Sequence, residues 1–138
     1  MKRLAVLLTA ALAAGCGGST TAPTAIANAT VTTETFTGSL QPGGLNVHLF
    51  TVTTAGGNIN ITLVSAGPPS TIQLGLALGN PSATGSCSII PGFTVQTAAG
   101  STAQIPAAGA PAGAYCVAVG DVGILQLPVT YTVTVAHT

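Results

Sequence analysis

The sequence feature that most constrains the fold is the stretch from Gly109 to His137, which contains two runs of alternating residues around a Gly/Pro-rich turn. The first run places three residues on one face: Tyr115, Val117 and Val119. The second run does the same with Val129, Tyr131, Val133 and Val135, and puts threonines on the other face. A period of two is typical of half-buried β-strands. Because a two-stranded ribbon is marginal in water, the upstream chain must supply partner strands and a second sheet.

The upstream chain contains further short runs of this kind, separated by Gly, Pro or Asn. They predict six more strands: VTTETFTGSL, LNVHLFTVT, Asn58 to Ser65, the run around Ile72 to Leu78, FTVQT and STAQI. We expect the segment from Gly79 to Gly92 to be irregular. The LNVHLFTVT run is apolar on both faces, which predicts a central strand. About eight strands without a helical period predict an all-β protein, a jelly-roll-like β-sandwich with antiparallel strands.

The N-terminus has the layout of a secretory signal, with Lys2 and Arg3 followed by an apolar run from Leu4 to Ala14. This run of about eleven residues is too short to span a bilayer. The following letters, LAAGC, resemble the lipobox of bacterial lipoprotein signals. That resemblance implies cleavage before Cys16 and lipid attachment to it. A plain signal peptide, cut near Ala14 or Gly15, is the alternative.

The chain therefore divides into a signal peptide (1–15), a lipidated cysteine with a flexible tether (16–30) and a β-sandwich domain (31–138). The tether is assigned because GGSTTAPTAIANA is small, polar and without periodicity. We expect an exported protein, anchored through its N-terminal lipid in the bacterial cell envelope, at the outer membrane.

Charged residues are scarce, and their scarcity limits the possible functions. Lys2 and Arg3 are the only Lys and Arg residues, and both leave with the signal. A domain without basic side chains cannot neutralise phosphates, which argues against nucleic acid as a partner. The remaining ionisable candidates for chemistry are His48, His137, Glu34 and Asp121.

These four residues are too few and too scattered for the expected fold to bring them together as an active site. The two histidines with one acid would make a three-ligand metal site, but His48 is in mid-strand and His137 is next to the chain end. Asp121, in GDVG, is expected to cap its own turn. We therefore predict no catalytic residue, no metal site and no cofactor.

Two cysteines remain in the domain, Cys87 and Cys116, which lie 29 residues apart. An even pair in an exported domain predicts a structural disulfide. The alternative, a redox or metal-binding pair, lacks the CxxC spacing and a neighbouring base.

The order of LNVHLFTV, AGAYCVAV and YTVTV resembles the bacterial pre-peptidase C-terminal domain, over about Glu34 to Ala136. The resemblance implies a small jelly-roll sandwich, appended to secreted enzymes or present in envelope proteins. It implies no catalytic residues.

The edges of the predicted sheets lack the lysines that usually protect such edges. Prolines at strand ends are expected to do so instead: Pro42, Pro68, Pro69, Pro106, Pro111 and Pro128. An edge left open would accept a strand from an envelope protein or from a second copy.

The function predicted from the sequence is a non-enzymatic, lipid-anchored envelope protein with an interaction or surface-structural role. One alternative is a carbohydrate-binding module, which would need exposed aromatic residues, whereas Tyr115 and Tyr131 fall on apolar faces. The other alternative is an accessory domain of a secreted peptidase or other hydrolase. The ligand-binding residues are not predicted.

Overall fold

The computed structural model describes residues 29–138, which form eight β-strands. They are β1 (Thr32–Leu40), β2 (Leu45–Val52), β3 (Gly57–Gly67), β4 (Gln73–Pro81), β5 (Cys87–Ala98), β6 (Ile105–Ala110), β7 (Gly113–Gly120) and β8 (Val129–His137). A helix able to cross a membrane does not occur in this range. The predicted signal peptide and Cys16 lie outside the described residues, as does most of the predicted tether.

The strands form two four-stranded antiparallel sheets, with strand orders β1-β8-β3-β6 and β2-β7-β4-β5. Every connection except the one from β4 to β5 passes from one sheet to the other. This is the strand order of an eight-stranded jelly roll. The predicted all-β sandwich is therefore confirmed.

The core lies between the sheets and is built from alternate residues of each strand, as the period of two predicts. Tyr131, Val133 and Val135 of β8 are at most 2% exposed, and Tyr115 of β7 is 6% exposed. Thr33, Thr35 and Thr37 of β1 lie at the outward positions and are exposed. Both tyrosines therefore belong to the core, as expected from their position among valines.

The two halves of the Gly109 to His137 stretch do not form a hairpin. Strand β7 pairs with β2 and β4, whereas β8 pairs with β1 and β3 in the opposite sheet. Each half has one fully apolar face, and placing the halves in facing sheets buries both faces in one core.

The prediction of a central position for LNVHLFTVT is wrong, because β2 is an edge strand. Its inward side chains, Phe50 and Val52, are buried, but the outward Leu45 and Leu49 are 65% and 57% exposed. The apolar residues on the outward face of β2 are therefore not a sign that this face is buried. The outer face of its sheet is itself apolar.

Two boundary predictions are also wrong. Most of the segment expected to be irregular, Gly79 to Gly92, is strand, because the ladder between β4 and β5 shifts register between Ala77 and Gly79 and so accommodates Pro91 and Gly92. The STAQI run contributes only Ile105 to a strand. Its Gln104 instead joins the segment to β3: the side-chain Oε1 accepts from the Leu63 N–H at 2.7 Å, and the backbone N–H donates to the Ile61 carbonyl at 2.9 Å.

Candidate functional site

A groove with a volume of about 440 Å³ lies on the outer face of the β2-β7-β4-β5 sheet. Its floor comes from the outward positions of the two central strands, β4 and β7. Its apolar rim is formed by Leu45 at the start of β2, Ile89 of β5 and Val122 of the β7–β8 loop. All three rim residues are exposed. We call this feature the outer-face groove.

Small residues keep the outer-face groove open. Gly75 and Ala77 of β4 and Ala118 and Gly120 of β7 line it. A Cβ atom added at Gly75 would lie 3.2 Å from a Val122 methyl, and one at Gly120 would lie 3.1 Å from a Leu45 methyl. Larger side chains on this floor would therefore press against the rim. Sequence reasoning missed the groove, although its signal was present in the Gly and Ala residues that alternate with core leucines in β4.

Few polar groups reach the outer-face groove. Thr94 and Gln96 of β5 line one side, and the Gln96 amide donates to Gln73 Oε1 at 2.9 Å. Asp121 lies at one end and is the only charged side chain among the lining residues. The lining is therefore largely neutral and apolar.

The carboxylate of Asp121 is fully used within the fold. Its Oδ2 accepts from the Gly43 backbone at 2.8 Å, and its Oδ1 accepts from three successive backbone N–H groups of the β7–β8 loop, those of Gly123, Ile124 and Leu125. These hydrogen bonds, chiefly that from Gly43, lower the pKa of Asp121. The predicted turn-capping role is confirmed. In addition, Asp121 ties this loop to the β1–β2 turn.

The predicted disulfide between Cys87 and Cys116 is confirmed, with an S–S distance of 2.04 Å and a Cα–Cα distance of 5.8 Å. It joins the start of the edge strand β5 to β7. Gly79 of β4 lies beside it, and a Cβ atom there would come within 2.8 Å of Cys87 Sγ. A glycine at this position therefore leaves room for the disulfide to pass.

Glu34 and His137 meet between the sheets, although they are far apart in sequence. Glu34 of β1 points inward, and its Oε1 lies 3.0 Å from Nε2 of His137, the last residue of β8. His137 is 5% exposed, and its ring also packs against Phe50, with centroids 5.5 Å apart. An ionised carboxylate only accepts hydrogen bonds, so Nε2 carries the proton. The pair fastens the end of β8 to the edge strand β1.

His48 belongs to a second polar cluster on the same side of the sandwich. The Asn46 amide donates to Tyr131 Oη at 3.0 Å and to the Ser39 carbonyl at 2.9 Å. The tyrosine hydroxyl accepts from Asn46 and shares a second hydrogen bond, of 2.7 Å, with Nε2 of His48, whose tautomer sets the direction. The His48 ring also stacks on Phe36, with centroids 4.9 Å apart. This cluster is a structural network in which each polar side chain has a partner.

The His48 network predicts a loss of stability in mild acid. Burial lowers the pKa of His48 from 6.5, so below pH 6.5 the unfolded chain binds protons that the folded chain does not. The free energy of unfolding should therefore fall as the pH drops below 6.5, towards the lower pKa of the folded state. The slope should be small because the ring is partly exposed to solvent. Urea titrations between pH 5 and 8 measure it.

The control for this prediction is His48→Gln, which keeps a neutral acceptor for Tyr131 and retains His137. The difference between wild type and variant isolates the contribution of His48. If both proteins lose the same stability between pH 7 and 5, the assignment to His48 is wrong.

The structure does not bring the candidate residues together as one reactive site. In residues 29–138, no three His, Cys, Asp or Glu side chains are grouped so that they could hold a metal ion. Glu34 and His137 form one pair, His48 belongs to a separate network and Asp121 serves the loop. The two aromatic residues considered for stacking on sugars, Tyr115 and Tyr131, are buried, and another aromatic residue, Phe93, packs against the core.

In comparisons with known proteins, no protein-family model matches the chain, and no curated protein matches it either.

Proposed function

We propose that this chain is a non-enzymatic, lipid-anchored protein of the bacterial cell envelope whose β-sandwich is an interaction module. The outer-face groove takes an uncharged, apolar segment of another envelope protein. The observation that supports this proposal is the groove itself, a largely apolar concavity of about 440 Å³ on the outer face of the β2-β7-β4-β5 sheet. The anchor is the lipid that the LAAGC resemblance places on Cys16.

A binding role is favoured over catalysis because the ionisable side chains serve the fold. Glu34, His48, His137 and Asp121 each have a hydrogen-bond partner inside the sandwich or its loops. Acid–base or nucleophilic chemistry needs such groups to converge on one point in a cleft. Of the four, only Asp121 lines the groove, and its two oxygens already accept four backbone hydrogen bonds.

The lining of the groove selects for a neutral partner. An anionic group entering it would lose water and find no opposite charge. A cationic group would find only Asp121 at one end, whose carboxylate already accepts four backbone hydrogen bonds. An apolar side chain would instead bury the exposed surfaces of Leu45, Ile89 and Val122. Thr94 and Gln96 supply a hydroxyl and an amide for the backbone of such a segment.

A photo-cross-linking residue at Ala77, on the groove floor, tests this proposal in intact cells. We expect a discrete adduct with an envelope protein. The matched control carries the same residue at Thr37, an exposed outward position of β1 in the other sheet, and should give no such adduct. A second variant, Ala77→Glu, should abolish partner recovery by a cross-linker placed at Ile89.

Adducts of equal yield from Ala77 and Thr37, or none from Ala77, would overturn the assignment of the groove as the binding surface. Mass spectrometry of the adduct identifies the partner. If it is a secreted hydrolase, the chain acts as the accessory module that its resemblance to the pre-peptidase C-terminal domain implies.

A further inference from the structure

Strand β2 presents a free edge of backbone hydrogen-bonding groups. Within the described residues it pairs only with β7. The Asp121 N–H donates to the Gly44 carbonyl at 3.0 Å. Gly44 precedes Leu45 and Asp121 follows Gly120, so these two residues extend the ladder by one pair beyond Leu45 and Gly120. In an antiparallel ladder such pairs recur at every second residue, so the intervening residues of β2 direct their N–H and C=O groups away from β7. These residues are Leu45, Val47, Leu49 and Thr51.

The other three edge strands each have a feature that discourages pairing. Strand β1 has an inward carboxylate, Glu34. Strand β5 contains Pro91 and a register shift, and β6 is a six-residue strand with Pro106 inside it. Proline, bulges, short length and inward charge are the devices by which native sheets block edge pairing. Of the prolines expected to protect edges, only Pro106 lies in an edge strand.

Strand β2 lacks all of these features. Its eight residues, LNVHLFTV, contain no proline, glycine, lysine, arginine or carboxylate. Its register with β7 is unbroken from Leu45 to Val52. The outward side chains Leu45 and Leu49 are mostly exposed, so the edge is flat, regular and apolar on its outer face. Such an edge is a template for another strand.

We propose that β2 pairs with β2 of a second copy of this chain, in antiparallel orientation about a two-fold axis. The axis passes through His48, so that Leu45 lies opposite Thr51 of the other copy and Val47 lies opposite Leu49. This register uses the free backbone groups of all four residues on each copy. The two β2-β7-β4-β5 sheets then form one continuous eight-stranded sheet.

A second copy fits this edge because the edge is complementary to itself. An isologous contact requires that one surface match its own image, and an antiparallel strand pair does so whenever the free groups are evenly spaced. Strand β2 has no Lys, Arg, Asp or Glu on either copy, so the strand pair itself brings no like charges together. The contact runs along the backbone edge of β2 and shares only the rim residue Leu45 with the outer-face groove. It does not rest on the proposed groove partner.

Sedimentation velocity of the full chain, solubilised in detergent, tests the oligomeric state. We expect a dimer for the wild type and at least about tenfold weaker association for Leu49→Lys, which adds a lysine guard to the edge. Leu49 is outward and exposed, so this change leaves the core intact. The control Thr35→Lys places the same charge on the outer face of β1 and should leave the dimer unchanged.

Cysteine pairing in cells tests the register independently of these variants. Co-expressed Val47→Cys and Leu49→Cys chains should form a mixed disulfide dimer, because directly opposite residues come within disulfide range. Val47→Cys expressed alone should not. A wild type that sediments as a monomer, a Leu49→Lys variant that dimerises like the wild type, or equal cross-linking by Val47→Cys alone would each overturn the proposal.

Discussion

Removing the disulfide with the double substitution Cys87→Ala and Cys116→Ala is expected to lower the free energy of unfolding by about 3.5 kcal/mol. The bond closes a loop with a sequence separation of 29, so its loss mainly frees the unfolded chain. It also releases the start of β5, an edge strand held otherwise only by β4. Equilibrium denaturation in urea measures the difference. For a small domain such a loss is a large fraction of the total stability.

Reduction of the wild-type protein provides the control, because it breaks the bond and leaves both side chains in place. Reduced wild type and the double variant should lose similar stability. A double variant within about 0.5 kcal/mol of the oxidised wild type would contradict the expected contribution.

Replacing Glu34 with alanine is expected to cost about 1–3 kcal/mol, the usual penalty for leaving a buried polar group without its partner. Glu34 supplies the one side-chain hydrogen bond that His137 makes among the described residues. Nδ1 of the same ring is buried and has no hydrogen-bond partner in this part of the chain. Truncation at Glu34 would therefore leave both nitrogens of a buried imidazole unpaired. Urea denaturation at pH 7 measures the loss.

The matched control is Glu34→Gln, which keeps an oxygen to accept the hydrogen bond from His137 Nε2 and removes only the charge. Its loss should be clearly smaller than that of Glu34→Ala. Equal losses would mean that the charge rather than the hydrogen bond matters. No loss in either variant would mean that the pair contributes little to folding.

Several features of the fold could be predicted because they follow from the types and spacing of residues in the sequence. Alternation of Val and Thr in β8 identifies both the strand and its buried face, since side chains of an extended chain point to opposite sides in turn. The pairing of Cys87 with Cys116 follows from the even number of cysteines in a domain predicted to be exported. The turn role of Asp121 follows from its Gly-flanked position.

Other features were misread because the same local pattern fits two tertiary positions. The two apolar faces of β2 are consistent with a central strand or with an edge strand on an apolar sheet face, and only the strand order distinguishes them. The Pro91-Gly92 pair predicts a loop, but the shift in register between β4 and β5 accommodates it within a strand. The encounter of Glu34 with His137 depends on β1 pairing with β8, almost the full length of the domain away.

Patterns of residue types are enough to predict strands with one buried face each, a disulfide and a domain with almost no charge. The three-dimensional arrangement is needed to know which strands are neighbours, where the outer-face groove opens and which sheet edge is free to pair. The physical reason is that side-chain alternation is a property of consecutive residues. Strand pairing, in contrast, depends on which segments, distant in the sequence, can bury their apolar faces together.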